Sequence, residues 1–269
     1  MLTIIIPTCD RPSQLLTAVN SCRADNVPGV NVIIVDDGKA YPVDPEKFGD
    51  EVKIIKTTGY TGAASARNFG ARSAKTDFIL FLDDDDCFAE NYINEVLELV
   101  RKGSYELGVS CTSHTQHKIL RTGKNFTKSD LPLKRCIFGA GMGFWIRRNL
   151  FLELGGFDEV LRIDEDTHFF CKIRAARISV HVSSTIGIFI SPNQVVALEK
   201  TRLTSLRDPK LRMMSYRKTF LAFKNDKRLS LADKYFLFSR FIRVTKKYYM
   251  HALFFHLSKI TKCVLRDGR

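Results

Sequence analysis

Phe78-Ile79-Leu80-Phe81-Leu82-Asp83-Asp84-Asp85-Asp86 is an apolar run of strand length that ends in four adjacent acids. Like charges side by side repel, and a folded chain rarely places them at the end of a buried strand without a counterion. A strand that carries carboxylates out of the core into a crevice makes a site for a hard divalent cation and the phosphates it bridges. The other reading is a solvated acidic turn that starts a helix around Glu90–Arg101, where carboxylates suit the positive helix end. The flanking sequence decides between them.

Leu2–Ile6 and Val30–Val35 are short, branched, fully apolar runs, as expected of strands buried in a parallel sheet. Between them Ser13–Arg23 carries Leu15, Leu16, Ala18, Val19 and Cys22 at helical spacing. Val52–Ile55 is a further strand, Ala63–Ala74 a helix of small residues, and Phe78–Leu82 the next strand. The order β-α-β-β-α-β-α predicts an α/β fold, an open sheet with ligands at the carboxyl ends of its strands. Pro7–Arg11, Asp36-Asp37-Gly38 and Asp83–Asp86 then share one edge of the sheet. Three polar clusters on one edge point to a site more strongly than any one alone.

The second half is less regular. Gly139-Ala140-Gly141-Met142-Gly143 precedes Phe144-Trp145-Ile146, and a helix around Arg148–Leu154 stops at Gly155-Gly156-Phe157-Asp158. The glycines suit either a close backbone approach to a ligand or a plain loop. Trp145 is either a sugar-stacking platform or core. Asp164-Glu165-Asp166 opens a helix expected to run through Arg174, and from about Thr201 the chain becomes helical, basic and aromatic.

At 269 residues, 45% hydrophobic and 26% charged, the chain can bury one good core with an appended segment. Met1–Pro7 lacks a basic leader region, so a strand is expected there and no signal peptide. No stretch of about 18 apolar residues occurs, so no membrane span is expected. Seven scattered cysteines without a C-x-x-C pair suggest reduced thiols in a cytosolic protein. The net charge of +13 is unevenly placed: residues 200–269 hold 19 Lys/Arg and 4 Asp/Glu, whereas the first 199 hold 23 and 25. The basicity belongs to the tail and points to an anionic partner surface.

The ordered series Ile5-Ile6-Pro7-Thr8 with Arg11, Val35-Asp36-Asp37-Gly38, Gly62–Gly70, Phe81–Asp86, Gly155–Glu159 and Glu165-Asp166 resembles the family 2 glycosyltransferases over about residues 2 to 175. The resemblance implies the GT-A fold, a Rossmann-like open mixed sheet flanked by helices. A catalytic domain is then expected over 1–200, with a nucleotide-binding half (1–100) and an acceptor half (101–200), followed by a basic helical region over 201–269.

By the same resemblance, Asp83-Asp84-Asp85 is similar to the family's D-x-D element. Asp83 is expected in the ribose or metal shell and Asp85 on Mn²⁺ or Mg²⁺, with Asp84 beside them and Asp86 leaving the register open by one residue. Asp36 matches the carboxylate that accepts the uracil N–H; a strand-end turn is its other reading. Pro7 and Thr8 are expected to wall the base, and Arg11 and Arg67 to contact the nucleotide or phosphates unless they form structural ion pairs. Asp166 matches the general base that takes the acceptor's proton, with Asp164 as the alternative; otherwise Asp166 is a helix-start acid. The chain departs from the pattern in having Lys39 after Asp-Asp-Gly, and no metal-binding His in Ile188–Asn193.

In the tail, helical spacing puts Leu237, Phe241, Val244, Tyr248 and Phe255 on one side, with Arg240, Arg243, Lys247 and Lys259 elsewhere. Such helices suit an anionic lipid interface; packing on the catalytic domain or a second subunit is the alternative. The sum predicts an inverting, metal-dependent, non-processive transfer of a hexose from a UDP-sugar to a saccharide acceptor, carried on a polyprenyl diphosphate. That places it in O-antigen, capsule or lipopolysaccharide assembly, at the inner face of the cell membrane and without nucleic acid. The alternatives are a nucleotidyltransferase, against which stands the absent glycine-rich phosphate loop at the N-terminus, and a basic membrane or nucleic-acid adaptor, supported by the tail alone.

Overall fold

The computed structural model describes residues 1–23, 27–112, 143–190 and 209–266. The segment between Cys111 and Arg135, the glycine-rich Gly139–Met142 and Ser191–Asn193 lie largely or wholly outside the described residues.

The branched apolar runs form the centre of an eight-stranded sheet. β1 (Leu2–Thr8), β2 (Val30–Asp36), β3 (Val52–Lys56) and β4 (Phe78–Phe81) pair in parallel in the order β3-β2-β1-β4. The sheet continues through β7 (Trp145–Arg147), β6 (Leu107–Thr112), β8 (His181–Ile190) and β5 (Asp86–Phe88). β7 runs antiparallel to both β4 and β6, β6 pairs in parallel with β8, and β5 runs antiparallel to β8.

Every residue of β1 is buried, so its period-2 alternation feeds two cores rather than one core and solvent. Leu2, Ile4 and Ile6 pack with α1 (Pro12–Arg23) and α3 (Tyr92–Lys102). Ile5 packs on the opposite face with residues of α2 (Ala63–Ser73), α4 (Arg148–Glu153) and α5 (Glu165–Ala175). That second core holds stacked and edge-on phenylalanines: Phe81, Phe144, Phe151, Phe157 and Phe169 have neighbouring ring centroids 5.0–6.0 Å apart. Trp145 is buried among Phe78 and the sheet, so it is core and not a stacking platform. Gly70 lets α2 sit close on the sheet, since a Cβ there would lie 2.5 Å from Ile5 Cγ2 and 3.0 Å from Val35 Cγ2.

The acidic stretch does not start α3. Asp86 begins the short strand β5, and α3 begins at Tyr92 behind Asn91, whose φ is 63°. Among the described cysteines none forms a disulfide, and no described helix is long and apolar enough to cross a membrane.

The C-terminal helices α6 (Pro209–Phe223) and α7 (Leu231–Arg266) pack on α5. Ser230 and Asp233 form a reciprocal cap at the start of α7: the Asp233 N–H donates to Ser230 Oγ at 3.2 Å, and the Ser230 N–H donates to Asp233 Oδ2 at 3.2 Å. The same Asp233 accepts from Arg174 of α5 at 3.2 Å. Leu237, Phe223 and Leu229 complete an apolar cluster with Cys171 and Ala175. The side of α7 expected to meet lipid therefore faces protein: Leu237 is 0% and Val244 9% exposed.

Candidate active site

The carboxyl ends of β1, β2 and β4 lie on one edge because the three strands are parallel and in close register. The chain turns sharply after β4, with the Asp86 N–H donating to the Asp83 carbonyl at 3.1 Å. This turn gathers Asp83, Asp85 and Asp86, which each offer a carboxylate oxygen within 4.8 Å of the others. Hard oxygen donors at that separation fit Mg²⁺ or Mn²⁺. Asp85 was expected there and Asp83 in the same shell; Asp86 joins them.

Asp84 points the other way. It is buried, accepts from Thr8 Oγ1 at 2.8 Å and pairs with Arg11 Nη1 at 3.0 Å. Burial pushes its pKa up to about 6, against the pull of Arg11 and the Thr8 hydroxyl. Asp84 and Thr8 thus tie the segment after β4 to the end of β1. Arg11, which also reaches Asp85 at 3.5 Å, is occupied as a counterion to the acidic turn. Pro7 is buried within β1 opposite Val35.

Asp36 is also turned inward. It is 2% exposed, and its two oxygens accept the N–H groups of Gly38 and Val43, both at 3.1 Å. In this arrangement it shapes its own loop, the Asx-type turn that was the other reading of Asp-Gly. Its neighbour Asp37 ties β2 to the loop before α2, accepting from Thr57 Oγ1, Thr61 Oγ1 (2.6 Å) and the N–H groups of Thr61 (2.9 Å) and Gly62 (2.8 Å).

Arg67 is an ion-pair bridge and not an open phosphate contact. Its guanidinium is buried, with Nη2 2.5 Å from Asp83 and Nη1 2.7 Å from Glu165. Burial alone would lower its pKa, but the two carboxylates outweigh that and raise it. A planar fork with several donors can serve two acids at once, which a lysine cannot. Arg67 therefore joins the acidic turn after β4 to the first turn of α5.

Asp166, the expected base, sits in that first turn, half-buried, with the Thr167 N–H donating to it at 2.6 Å. Burial first, then the charges of Glu165 and Asp164, push its pKa up to about 7, while Arg67 pulls it down. A carboxylate titrating near neutrality is well matched to proton abstraction. Asp164, with φ of 57°, pairs with Arg212 of α6 at 3.1 Å. Its role is to seat the C-terminal helix beside the first turn of α5.

Sequence reasoning read Gly155-Gly156-Phe157-Asp158-Glu159 as a helix stop and a member of the family series, with no contact assigned to it. The structure supplies one through Asn68, which donates to the Phe157 carbonyl (2.8 Å) and Glu159 Oε1 (2.9 Å), and accepts from the Phe157 N–H (2.9 Å). Gly156, at φ 57°, passes so close that a Cβ would lie 2.5 Å from Asn68 Oδ1. Asp158 pairs with Lys218 of α6 at 2.5 Å, which more than offsets its burial and lowers its pKa. Asn68 beside Arg67 was the available signal, because α2 presents both toward the α5 side of the cleft. His181, the nearby histidine, opens β8 against Trp145 and Tyr105, whereas Asp86 of the acidic turn pairs with Ile190 at the other end of that strand.

The mixed sheet, with an acidic turn at the carboxyl edge of its parallel half, makes an α/β fold with a candidate cation site. The model for glycosyl transferase family 2 matches residues 3–155, and the chain belongs to that family. An uncharacterized glycosyltransferase of Haemophilus influenzae is 30% identical over 185 residues, 64% of this chain and 62% of that protein. A pre-mycofactocin glycosyltransferase of Mycobacterium tuberculosis is 26% identical over 179 residues, 61% of this chain and 37% of that protein. The matched region is thus less than two thirds of the length of these relatives. Among solved structures, S. aureus TarS 1-349 in complex with UDP-GlcNAc superposes with a TM-score of 0.68 at 18% identity, covering 92% of this chain and 73% of that one. The mannosyltransferase PcManGT from Pyrobaculum calidifontis, in complex with GDP-Man and Mn²⁺, gives 0.61 at 14% identity, over 89% and 68%. Both are likenesses of fold, and the fold is GT-A as expected.

Proposed function

We propose that the chain is an inverting, metal-dependent glycosyltransferase that moves one hexose from a UDP-sugar to a saccharide acceptor. Residues 1–200 form its catalytic unit. The observation that carries the reading is the Arg67 bridge, which ties Asp83 of the acidic turn to Glu165, the neighbour of Asp166. The bridge supports a reading in which the diphosphate site and the base serve one reaction. The solved TarS complex with UDP-GlcNAc favours a uridine donor.

Asp83, Asp85 and Asp86 would hold Mn²⁺ or Mg²⁺, which when bound supplies charge neutralisation for the departing diphosphate. Asp166 takes the proton of the acceptor hydroxyl as that oxygen bonds to the anomeric carbon. The bond from that carbon to the diphosphate oxygen breaks on the opposite face, and UDP leaves with the electron pair. Attack opposite the leaving group inverts the anomeric configuration. The acceptor is a saccharide on a polyprenyl diphosphate, and the product serves O-antigen, capsule or lipopolysaccharide assembly at the inner face of the membrane. The basic C-terminal region, net +15 over residues 200–269, supports that placement.

The test is UDP release from a panel of UDP-sugars with Mn²⁺. One donor should be hydrolysed slowly by the wild type, with the rate abolished in Asp85→Ala and reduced about 10²-fold or more in Asp166→Asn. Equal rates in all three proteins would overturn the reading.

A further inference from the structure

One side of α7 is covered by α5 and α6, and the opposite side carries an apolar stripe that is exposed among the described residues. Leu231, Tyr235, Phe238, Ile242 and Tyr249 recur at steps of four, three, four and seven residues, which aligns them along the helix. They are 84%, 72%, 44%, 47% and 64% exposed. The stripe runs roughly 27 Å at 1.5 Å per residue. Scattered apolar residues on a surface need no explanation, but a continuous aromatic line of this length does.

The charges beside it narrow the occupant. Between Lys234 and Met250 there is no acid, while Lys234, Arg240, Arg243, Lys246 and Lys247 are all basic. Helical geometry puts Lys234 and Lys246 on either side of the stripe. A second copy laid along it would bring lysine against lysine, whereas paired helices depend on opposite charges flanking the seam. At its N-terminal end the stripe opens into a groove of about 660 Å³ between α6 and α7, lined by Phe220, Tyr235 and Phe238 with Lys224 and Lys234. An apolar floor with cationic edges is complementary to an acyl chain below a phosphate.

We propose that α7 lies in the interface of an anionic lipid bilayer, with the Leu231–Tyr249 stripe entering the acyl boundary and the flanking Lys234 and Lys246 meeting headgroup phosphates. Tyr235 and Tyr249, amphipathic rings toward the two ends of the stripe, suit that depth. The face differs from the one suggested by Leu237 and Val244, which are buried in protein. The inference concerns residues outside the transfer site and stands or falls separately from the proposed reaction.

The experiment is co-sedimentation of the full chain with vesicles of phosphatidylcholine alone or mixed in equal parts with phosphatidylglycerol. The wild type should pellet with the mixed vesicles, and not with the neutral ones. Phe238→Ser/Ile242→Ser/Tyr249→Ser, with unchanged circular dichroism and thermal midpoint, should lower the bound fraction by about tenfold or more. Lys246→Gln/Lys247→Gln should weaken binding chiefly at low salt. Wild-type protein that stays in solution with anionic vesicles would overturn the proposal. So would serine variants that pellet as the wild type does, or light scattering that shows a wild-type dimer turned monomeric by the three substitutions.

Discussion

Burial first, and then the charges of Glu165 and Asp164, raise the pKa of Asp166 from its ordinary 3.8 to about 7. For catalysis the sign is favourable above that pH: the rate should rise along an acid limb centred near 7. Glu165→Gln removes the largest charge contribution to the shift, so the limb should move to lower pH in a rate profile, and an unmoved limb would detach Asp166 from the chemistry. For stability the sign is reversed. A carboxyl with a raised pKa binds its proton more tightly folded than unfolded, so stability is lost as pH rises from about 4 through about 7. Asp166→Asn should therefore be both nearly inactive and a few degrees more heat-stable at pH 8 by calorimetry. Asp84 and Arg67 teach a related lesson. Four acids in a row announced a cation site, but which acid faces it depends on partners far along the chain, Thr8 and Arg11 for Asp84 and Glu165 for Arg67. No local pattern encodes such pairings, whereas the inward turn of Asp36 was one of the two readings of its Asp-Gly.

At the scale of elements, α2 holds the cleft together. Its Gly70 allows contact with the sheet, Arg67 reaches both acidic turns, and Asn68 clamps the loop after α4. Asn68→Ala would leave the buried Phe157 N–H without its acceptor, at a cost of about 2–4 kcal/mol for the lost bonds and the orphaned donor. Chemical denaturation should show that loss with an unchanged m-value; a change under about 0.5 kcal/mol would mean the clamp is replaced by water. Strands of branched apolar residues such as Leu2–Ile6 were legible because burial on both faces leaves only one kind of sequence. β5, three residues long, was not, since it exists only through its pairing with β8. β8 itself, His181-Val182-Ser183-Ser184-Thr185-Ile186-Gly187-Ile188-Phe189-Ile190, mixes polar and apolar residues without strict alternation and bulges against β6. Helical spacing found an apolar line on α7, but the helix carries two such lines, and only tertiary packing selects the inner one.

On the scale of the whole molecule, a nearly neutral sheet region and basic C-terminal helices are mechanically joined. The C-terminal helices are not a loose tail: Arg212 and Lys218 of α6 pair with Asp164 and Asp158, and Asp233 of α7 pairs with Arg174. Each of these contacts lands on α5 or on the segment leading into it, so the helices that present the basic surface also brace the helix that presents Asp166. Under the proposed reaction, this arrangement would set the acceptor beside the C-terminal helices and the nucleotide sugar at the carboxyl edge of the sheet. The most direct test is calorimetric titration of UDP into the full chain with and without Mn²⁺, beside Asp85→Ala and Asp166→Asn. The account predicts one-site binding that requires the metal, weakens about tenfold or more in Asp85→Ala and persists in Asp166→Asn. UDP binding that is indifferent to Mn²⁺ and to Asp85, or no stronger than that of AMP, would contradict it.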